Sequence, residues 1–265
     1  MLPVDVPVTP WVVGVVLAGM LAVLVVRAVR RDRREYGLFK RYRSTVRRQR
    51  LLRKWLLESA LWLGGSAVVL LVLVWPFIGR MLEQVEEWPA TIAFRGALAS
   101  GGGFAQGAII GASIALVAGV VASVVFAKPE GEVPTLGDIH ALLPRNRAEL
   151  KYGWALSINA GIVEELLFRL ALPAALFAVT GSALAAVVIS LVVFGGMHAY
   201  QGIGGVIGTF VFGAVLMFLF LATGSILWPI LAHVLFDLRS LVLIPVAVYR
   251  VHRRSSAVSA ARKNP

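Results

Sequence analysis

The sequence contains no cysteine. That excludes disulfides, thiolate metal sites and a cysteine nucleophile. Charge is also scarce: 15% of the 265 residues are charged, where a soluble domain carries about 25%. There are only four histidines, so any metal would need His and carboxylate ligands. No serine sits in a GxSxG context and there is no HExxH run, which removes the serine-hydrolase elbow and the soluble zincin arrangement. What is present is hydrophobicity. The chain is 58% hydrophobic with a mean hydropathy of +0.82, concentrated in long uncharged runs. A secreted soluble enzyme, a disordered regulator and a disulfide scaffold are all excluded. The composition is that of an integral membrane protein built as one membrane domain.

A net charge of +12 invites a nucleic-acid reading, but placement decides otherwise. Of the 26 Lys and Arg, 13 fall between Arg27 and Lys54, a stretch holding only two acids, Asp32 and Glu35. A basic run beside membrane spans is a cytoplasmic loop obeying the positive-inside bias, and it attracts anionic lipid headgroups. No nucleic acid is needed to explain it. Tyr36, Phe39 and Tyr42 would tuck this segment against the interface as an amphipathic helix.

A spanning helix needs about 20 mostly apolar residues, and seven segments qualify: 8–26, 56–78, 104–127, 154–179, 183–198, 204–223 and 226–248. The first has its positive residues after the apolar run, so it is an anchor with the amino terminus outside. Threading from there puts 22 Lys and Arg in cytoplasmic segments and two, Arg80 and Arg95, outside. The expected fold is an all-α polytopic bundle of about seven transmembrane helices, with the carboxyl terminus in the cytoplasm. Residues 1–127 form a three-span region with the Arg-rich loop 27–55, residues 128–248 a four-span core, and 249–265 a basic tail. Segment 80–103 is expected to be an external interfacial helix followed by a flexible turn at Ser100-Gly101-Gly102-Gly103. No internal repeat relates the halves, which weighs against an inverted-repeat transporter.

The halves differ in what they bury. The first three spans carry no ionisable residue deep inside, and Glu58 lies near a span end. The last four hold Glu164, Glu165, Arg169, His198, His233, Asp237 and Arg239. Insertion scales charge about 2.5–3.5 kcal/mol for an Asp, Lys or Arg at a helix centre, so these side chains should face a polar cavity or one another. Glu165 and Arg169 are four apart and share a face, as do His233 and Asp237. Glu164 is turned about 100° from Glu165 and points elsewhere. The pair Gly195-Gly196 beside His198 allows close backbone approach or a helix break. His140 and His252 fall in cytoplasmic segments and read as solvated residues. The run Gly204-Gly205-Val206-Ile207-Gly208 reads as helix packing, not a phosphate loop. A Glu can act as general base toward water, a neutral His can share that work or bind a metal, and further polar groups can stabilise an oxyanion. The set suits peptide-bond hydrolysis without a covalent intermediate.

Glu164-Glu165-Leu166-Leu167-Phe168-Arg169 has the form EExxxR, Phe194 to His198 is FxxxH, and His233 to Asp237 is HxxxD. In order and spacing they resemble the CPBP family of intramembrane proteases, also called the Abi or CAAX-protease family, over residues 140–240. Ala141-Leu142-Leu143-Pro144-Arg145 looks like that family's lead-in. The resemblance implies an intramembrane endopeptidase, a metalloprotease-type hydrolase, acting on a membrane-embedded or lipidated protein or peptide. Catalytic residues would be Glu164, Glu165, His198, His233 and Asp237. Glu164 and His198 would activate water, His233 and Asp237 would bind the oxyanion or complete a metal site, and Arg169 would support Glu165. A divalent metal, zinc by donor type, would take Glu164, His198 and His233; a metal-free, Glu/His-activated water is equally compatible with the residues. Many CAAX-cleaving members have Asn where this chain has Asp237, and an ionised Asp cannot donate to an oxyanion. That favours metal binding or orientation of His233.

Two other functions compete: a non-catalytic scaffold, chaperone or immunity protein of the same fold, and a proton-coupled carrier with Glu164, Glu165 and His198 as its relay. The depths of Glu164, His198 and His233 agree only if the fifth span is short or kinked at Gly195-Gly196. The expected location is the plasma membrane of a prokaryote. Because the chain has no cysteine, single cysteines report topology directly. A cysteine at 43 or 260 should react with an impermeant thiol reagent only from the cytoplasmic side, and one at 86 only from outside.

Overall fold

The computed structural model describes residues 9–100, 103, 107 and 138–253. Among them there are helices and short connections and no strand. We label the helices α1 (Pro10–Arg41), α2 (Thr45–Glu86), α3 (Pro89–Ser100), α4 (147–180), α5 (Ala183–Met197), α6 (Ala199–Thr223) and α7 (Leu227–Ala247). Four of these, α1, α2, α6 and α7, are long and apolar enough to cross a membrane. Helix α5 is apolar but only 15 residues long. The expected third span, 104–127, lies outside the described residues, apart from Gly107.

The Arg-rich segment is not a loop. Helix α1 continues past its apolar stretch to Arg41, and after the short connection Tyr42–Ser44 the chain is helical again from Thr45. Arg, Lys, Leu and Gln are good helix formers, and the segment has one glycine and no proline to interrupt them. Its aromatic residues turn inward instead of lying against lipid. Tyr36 and Phe39 are buried, Tyr36 edge-on to Tyr200 at 5.3 Å and Phe39 against Trp55 at 4.9 Å. Segment 80–103 also differs from expectation: 80–86 completes α2, and only 89–100 forms a separate helix, with Phe94 against Phe218 of α6.

Helix α4 is the axis of the bundle. Asn146 caps it by accepting from the Glu149 backbone N–H, and Gly181 (φ 67°) closes it in the left-handed conformation that glycine adopts without strain. Toward its carboxyl end, Leu172 to Leu176 and Ala178 are buried among α1, α2 and α5. Outward-facing Val15, Val72, Trp75, Val192, Ile207 and Leu231 are exposed, as a lipid-facing surface requires.

A buried ion pair joins the two halves. Arg48 and Glu149 are both fully buried, with Arg48 Nε 3.1 Å from both carboxylate oxygens. Arg48 Nη2 donates to the Ala141 and Leu143 carbonyls, and the guanidinium lies 4.2 Å over the Phe39 ring. Removing one partner strands the other charge, so Arg48→Met or Glu149→Leu alone should destabilise by about 3–5 kcal/mol. The double replacement should recover most of that loss, as read by thermal unfolding of the detergent-solubilised protein.

Candidate functional site

The site begins with a stripe on α4. Its buried residues from Glu149 onward recur every four positions: Gly153, Ser157, Gly161, Glu165. Small side chains at this spacing let two helices approach until their backbones touch, and α7 fills the space. A Cβ on Gly161 would collide with Val234 Cγ2 and stand 3.0 Å from its backbone nitrogen; one on Gly153 would stand 2.5 Å from the Leu241 carbonyl oxygen. The same stripe therefore delivers Glu165 onto α7. His233 Nδ1 lies 2.7 Å from Glu165 Oε1, within hydrogen-bond distance.

Glu165 has a second partner. Its Oε2 is 3.1 Å from Arg169 Nε, and both side chains are fully buried. The Arg169 guanidinium rests 4.2 Å over the Phe194 ring. Helix α6 crosses close by at Gly213, where a Cβ would come within 2.7 Å of that ring. The i,i+4 pairing expected for Glu165 and Arg169 is thus present. Its further link to His233 was not expected; the sequence pattern pairs His233 with Asp237, whose Oδ2 stands 3.8 Å from Nε2.

Glu164 faces the other way. It lines a cavity of about 550 Å³ together with His198, His233 and Asp237. Helix α5, at 15 residues, rises about 22 Å, short of the roughly 30 Å hydrocarbon core. It ends at Met197, so His198 sits at the helix end beside Glu164, with Nε2 3.9 Å from Oε2. Of the two alternatives that matched the depths, a short fifth helix or a kink at Gly195-Gly196, the helix is short. His198 Nδ1 is 2.9 Å from the Phe194 carbonyl, four residues earlier. Gly195 is the position of close approach, a Cβ there standing 3.2 Å from Phe210 Cβ, while Gly196 meets nothing. His140 and His252 are exposed, away from this cluster. Arg239 lines the cavity.

Helices α1, α2, α4 and α7 each pass through a π-helical turn, at Arg27–Asp32, Ala60–Gly64, Leu166–Ala171 and Arg239–Leu243. Each turn contributes to the cavity wall, through Arg27, Trp62, Phe168 and Ser240 among others. Such turns recur at functional sites because the widened ring redirects side chains. The contribution of α1 and α2 was not legible in the sequence: Arg27 and Glu58 read as residues of span ends and loops.

Imidazole nitrogen and carboxylate oxygen are suitable zinc donors. Among the described residues, however, no three His, Cys, Asp or Glu side chains are grouped so as to hold a metal ion. His233 has Nδ1 engaged with Glu165, and Glu164 and His198 stand 3.9 Å apart.

Residues 146–239 match the family model "Type II CAAX prenyl endopeptidase Rce1-like". The chain carries an Rce1-like domain there. The match contains all five residues of the Glu/His/Asp cluster and Arg169, and it omits α1, α2 and α3. No curated protein and no solved structure matches the chain.

The glycine contacts yield a paired prediction. Gly161→Val should overpack the α4–α7 crossing at a cost of about 1–3 kcal/mol and draw Glu165 away from His233. Gly196→Ala, where a Cβ meets nothing, should leave the thermal unfolding midpoint unchanged or raise it. Parallel melts of the two variants make the comparison.

Proposed function

We propose that this protein is an intramembrane endopeptidase that hydrolyses a peptide bond of a membrane-associated protein or peptide. The observation that carries the reading is a pair of facing acceptors. His198 Nδ1, by donating to the Phe194 carbonyl, leaves Nε2 as a bare lone pair. Glu164 Oε2, 3.9 Å away, is buried without a hydrogen-bond partner. A water about 2.8 Å from each would donate one proton to the carboxylate and one to the imidazole, directing its own lone pair at a substrate carbonyl. Glu164 then takes the proton as general base and returns it to the leaving amine.

The charge that develops on the carbonyl oxygen needs donors. His233 gives its Nδ1 proton to Glu165, so its Nε2 donates only when the ring is an imidazolium. Glu165 Oε1 faces one ring nitrogen and Asp237 Oδ2 the other, so the ring stands between two carboxyl groups. Asp237 thus acts on His233 and not on the oxyanion directly. Tyr200 supplies a second donor: its hydroxyl accepts from Gln201 Nε2, which leaves its own proton for a ligand in the cavity it lines. Arg169 positions Glu165. A divalent metal is compatible with the donor types, zinc above all, but would require Glu164, His198 and His233 to close in on it. The match to CAAX prenyl endopeptidases supports a lipidated or membrane-embedded substrate.

On this reading the protein is a multi-pass protein of a prokaryotic plasma membrane. Eight arginines between Arg30 and Arg53 are exposed, and we assign that face to anionic headgroups.

The test is cleavage of a membrane-embedded peptide library by protein in nanodiscs, wild type against Glu164→Gln, each with and without chelator. Wild type should cut, and Glu164→Gln should lose at least about 100-fold in rate at equal expression. Loss of wild-type cleavage on chelation would assign the water to a metal. Absence of fragments from well-folded wild type would favour the scaffold.

A further inference from the structure

The turn that follows His198 is gripped from outside the family match. Helix α6 opens with one 3₁₀ turn, Ala199–Gln201. The Gln201 amide closes it on the His198 carbonyl at 2.9 Å, and Gly202 at φ 79° sets it off from the rest of the helix. A single turn of this kind has poor hydrogen-bond geometry and little to hold it by itself. The Gln201 carbonyl accepts from the Asp138 amide at 3.0 Å. Asp138 is in turn held twice by α1, from residues four apart on one face. The Tyr36 hydroxyl donates to its carbonyl, and Lys40 Nζ lies 2.6 Å from its Oδ2. The Tyr36 ring also stands edge-on to Tyr200, 5.3 Å between centres, and Tyr200 stands 6.0 Å from the His198 ring. Tyr36, Lys40 and Asp138 all precede the match, which begins at residue 146.

The two holds are unequal. Lys40 and Asp138 are both close to half exposed, and an exposed ion pair contributes little. Tyr36 is 3% exposed, with its hydroxyl committed to a backbone carbonyl. A buried aromatic ring fixed at its polar end is a rigid surface for its neighbours to pack on. Three rings, Tyr36, Tyr200 and His198, therefore follow one another from the Arg-rich hairpin into the site. The contact of His198 Nδ1 with the Phe194 carbonyl sets the imidazole against its own helix only. Its 3.9 Å separation from Glu164 of α4 depends on what the turn rests on. Displacing a reacting group by about 1 Å can cost about 100-fold in rate.

We propose that Tyr36 is a positioning residue of the site: through Asp138 and Tyr200 it fixes the turn at 198–201, and with it the distance between His198 and Glu164. The Arg-rich hairpin is then part of the working site as well as a membrane-facing element. The proposal rests on the peptidase reading for the use made of that distance, and its test reads the turn without cleavage.

The experiment compares Tyr36→Phe, Tyr36→Leu and Lys40→Gln with wild type by amide hydrogen exchange, using the full-length protein in nanodiscs. Loss of one hydrogen bond of this kind is worth about 3- to 10-fold in an opening equilibrium. Tyr36→Phe keeps the ring and should speed exchange of the Asp138 and Gln201 amides by that factor. Tyr36→Leu removes the ring as well and should exceed it. Lys40→Gln should change exchange by less than about 2-fold. The amides of α4 around Glu165 should be unchanged in every variant, which shows that each one folds. With isotope-labelled histidine, the His198 imidazole signal should shift in both Tyr36 variants while that of His233 stays. In the cleavage assay kcat should fall by at least the same factor with KM unchanged. Failure of wild type to cut would count against the peptidase reading alone, and the exchange and imidazole results would still decide this one. Tyr36 also lines the cavity, so a change in KM with kcat kept would make it a substrate contact and overturn the proposal. Unchanged exchange of the turn in both Tyr36 variants, an unmoved His198 signal, or an effect of Lys40→Gln as large as that of Tyr36→Phe would overturn it too.

Discussion

The structure depends on Glu165. A carboxylate with no access to solvent is among the most costly groups to place inside a membrane protein, and here both of its oxygens face cations or proton donors from different directions. Arg169 meets one and His233 the other. Arg169 is itself fully buried, held over the Phe194 ring, and Phe194 belongs to the helix that ends at His198. A single carboxylate therefore ties α4, α5 and α7 into one arrangement. Removing it would leave two cationic or polar groups stranded, which is why the charges on these helices are interdependent and not additive.

Close packing makes that arrangement reachable. The glycines at 153 and 161 bring the α4 and α7 backbones into contact, and the same four-residue spacing that puts them on one face ends at Glu165. The neighbouring Glu164, one residue away, is rotated out of that contact and into the cavity. Two adjacent glutamates thus point in different directions through helical geometry alone: one holds the helices together and the other faces the cavity. The π-helical turns add the space. Each of the four helices lends residues of its π-helical turn to the cavity, which has walls from both halves of the chain.

The Arg-rich segment shows a different use of charge. Composition suggests a solvated loop, yet Arg27, Arg31, Arg48 and Lys54 are spent on internal carboxylates. Pairing at that density converts the segment into a helical hairpin whose aromatic residues pack inward. The remaining arginines stay exposed, so the positive-inside signal and an internal ionic framework coexist on the same helices.

Much of this was determined by the sequence alone. Long apolar runs require helices, because backbone polar groups in lipid must pair within the segment, and charges inside such runs require partners. The EExxxR, FxxxH and HxxxD spacings put each candidate side chain on a definite helix face, and the mismatch in depth required a fifth helix that is short or kinked. What the sequence could not decide were contacts between residues far apart in the chain. Whether His233 turns to Asp237 on its own helix or to Glu165 across the bundle depends on how closely α4 approaches α7, a distance set by packing. Whether Arg27 is a loop cation or part of a cavity wall depends on where α1 and α2 dock, which periodicity does not encode. Local spacing fixes faces; only the tertiary structure brings those faces together, because burial makes each charge choose its partner from the whole fold.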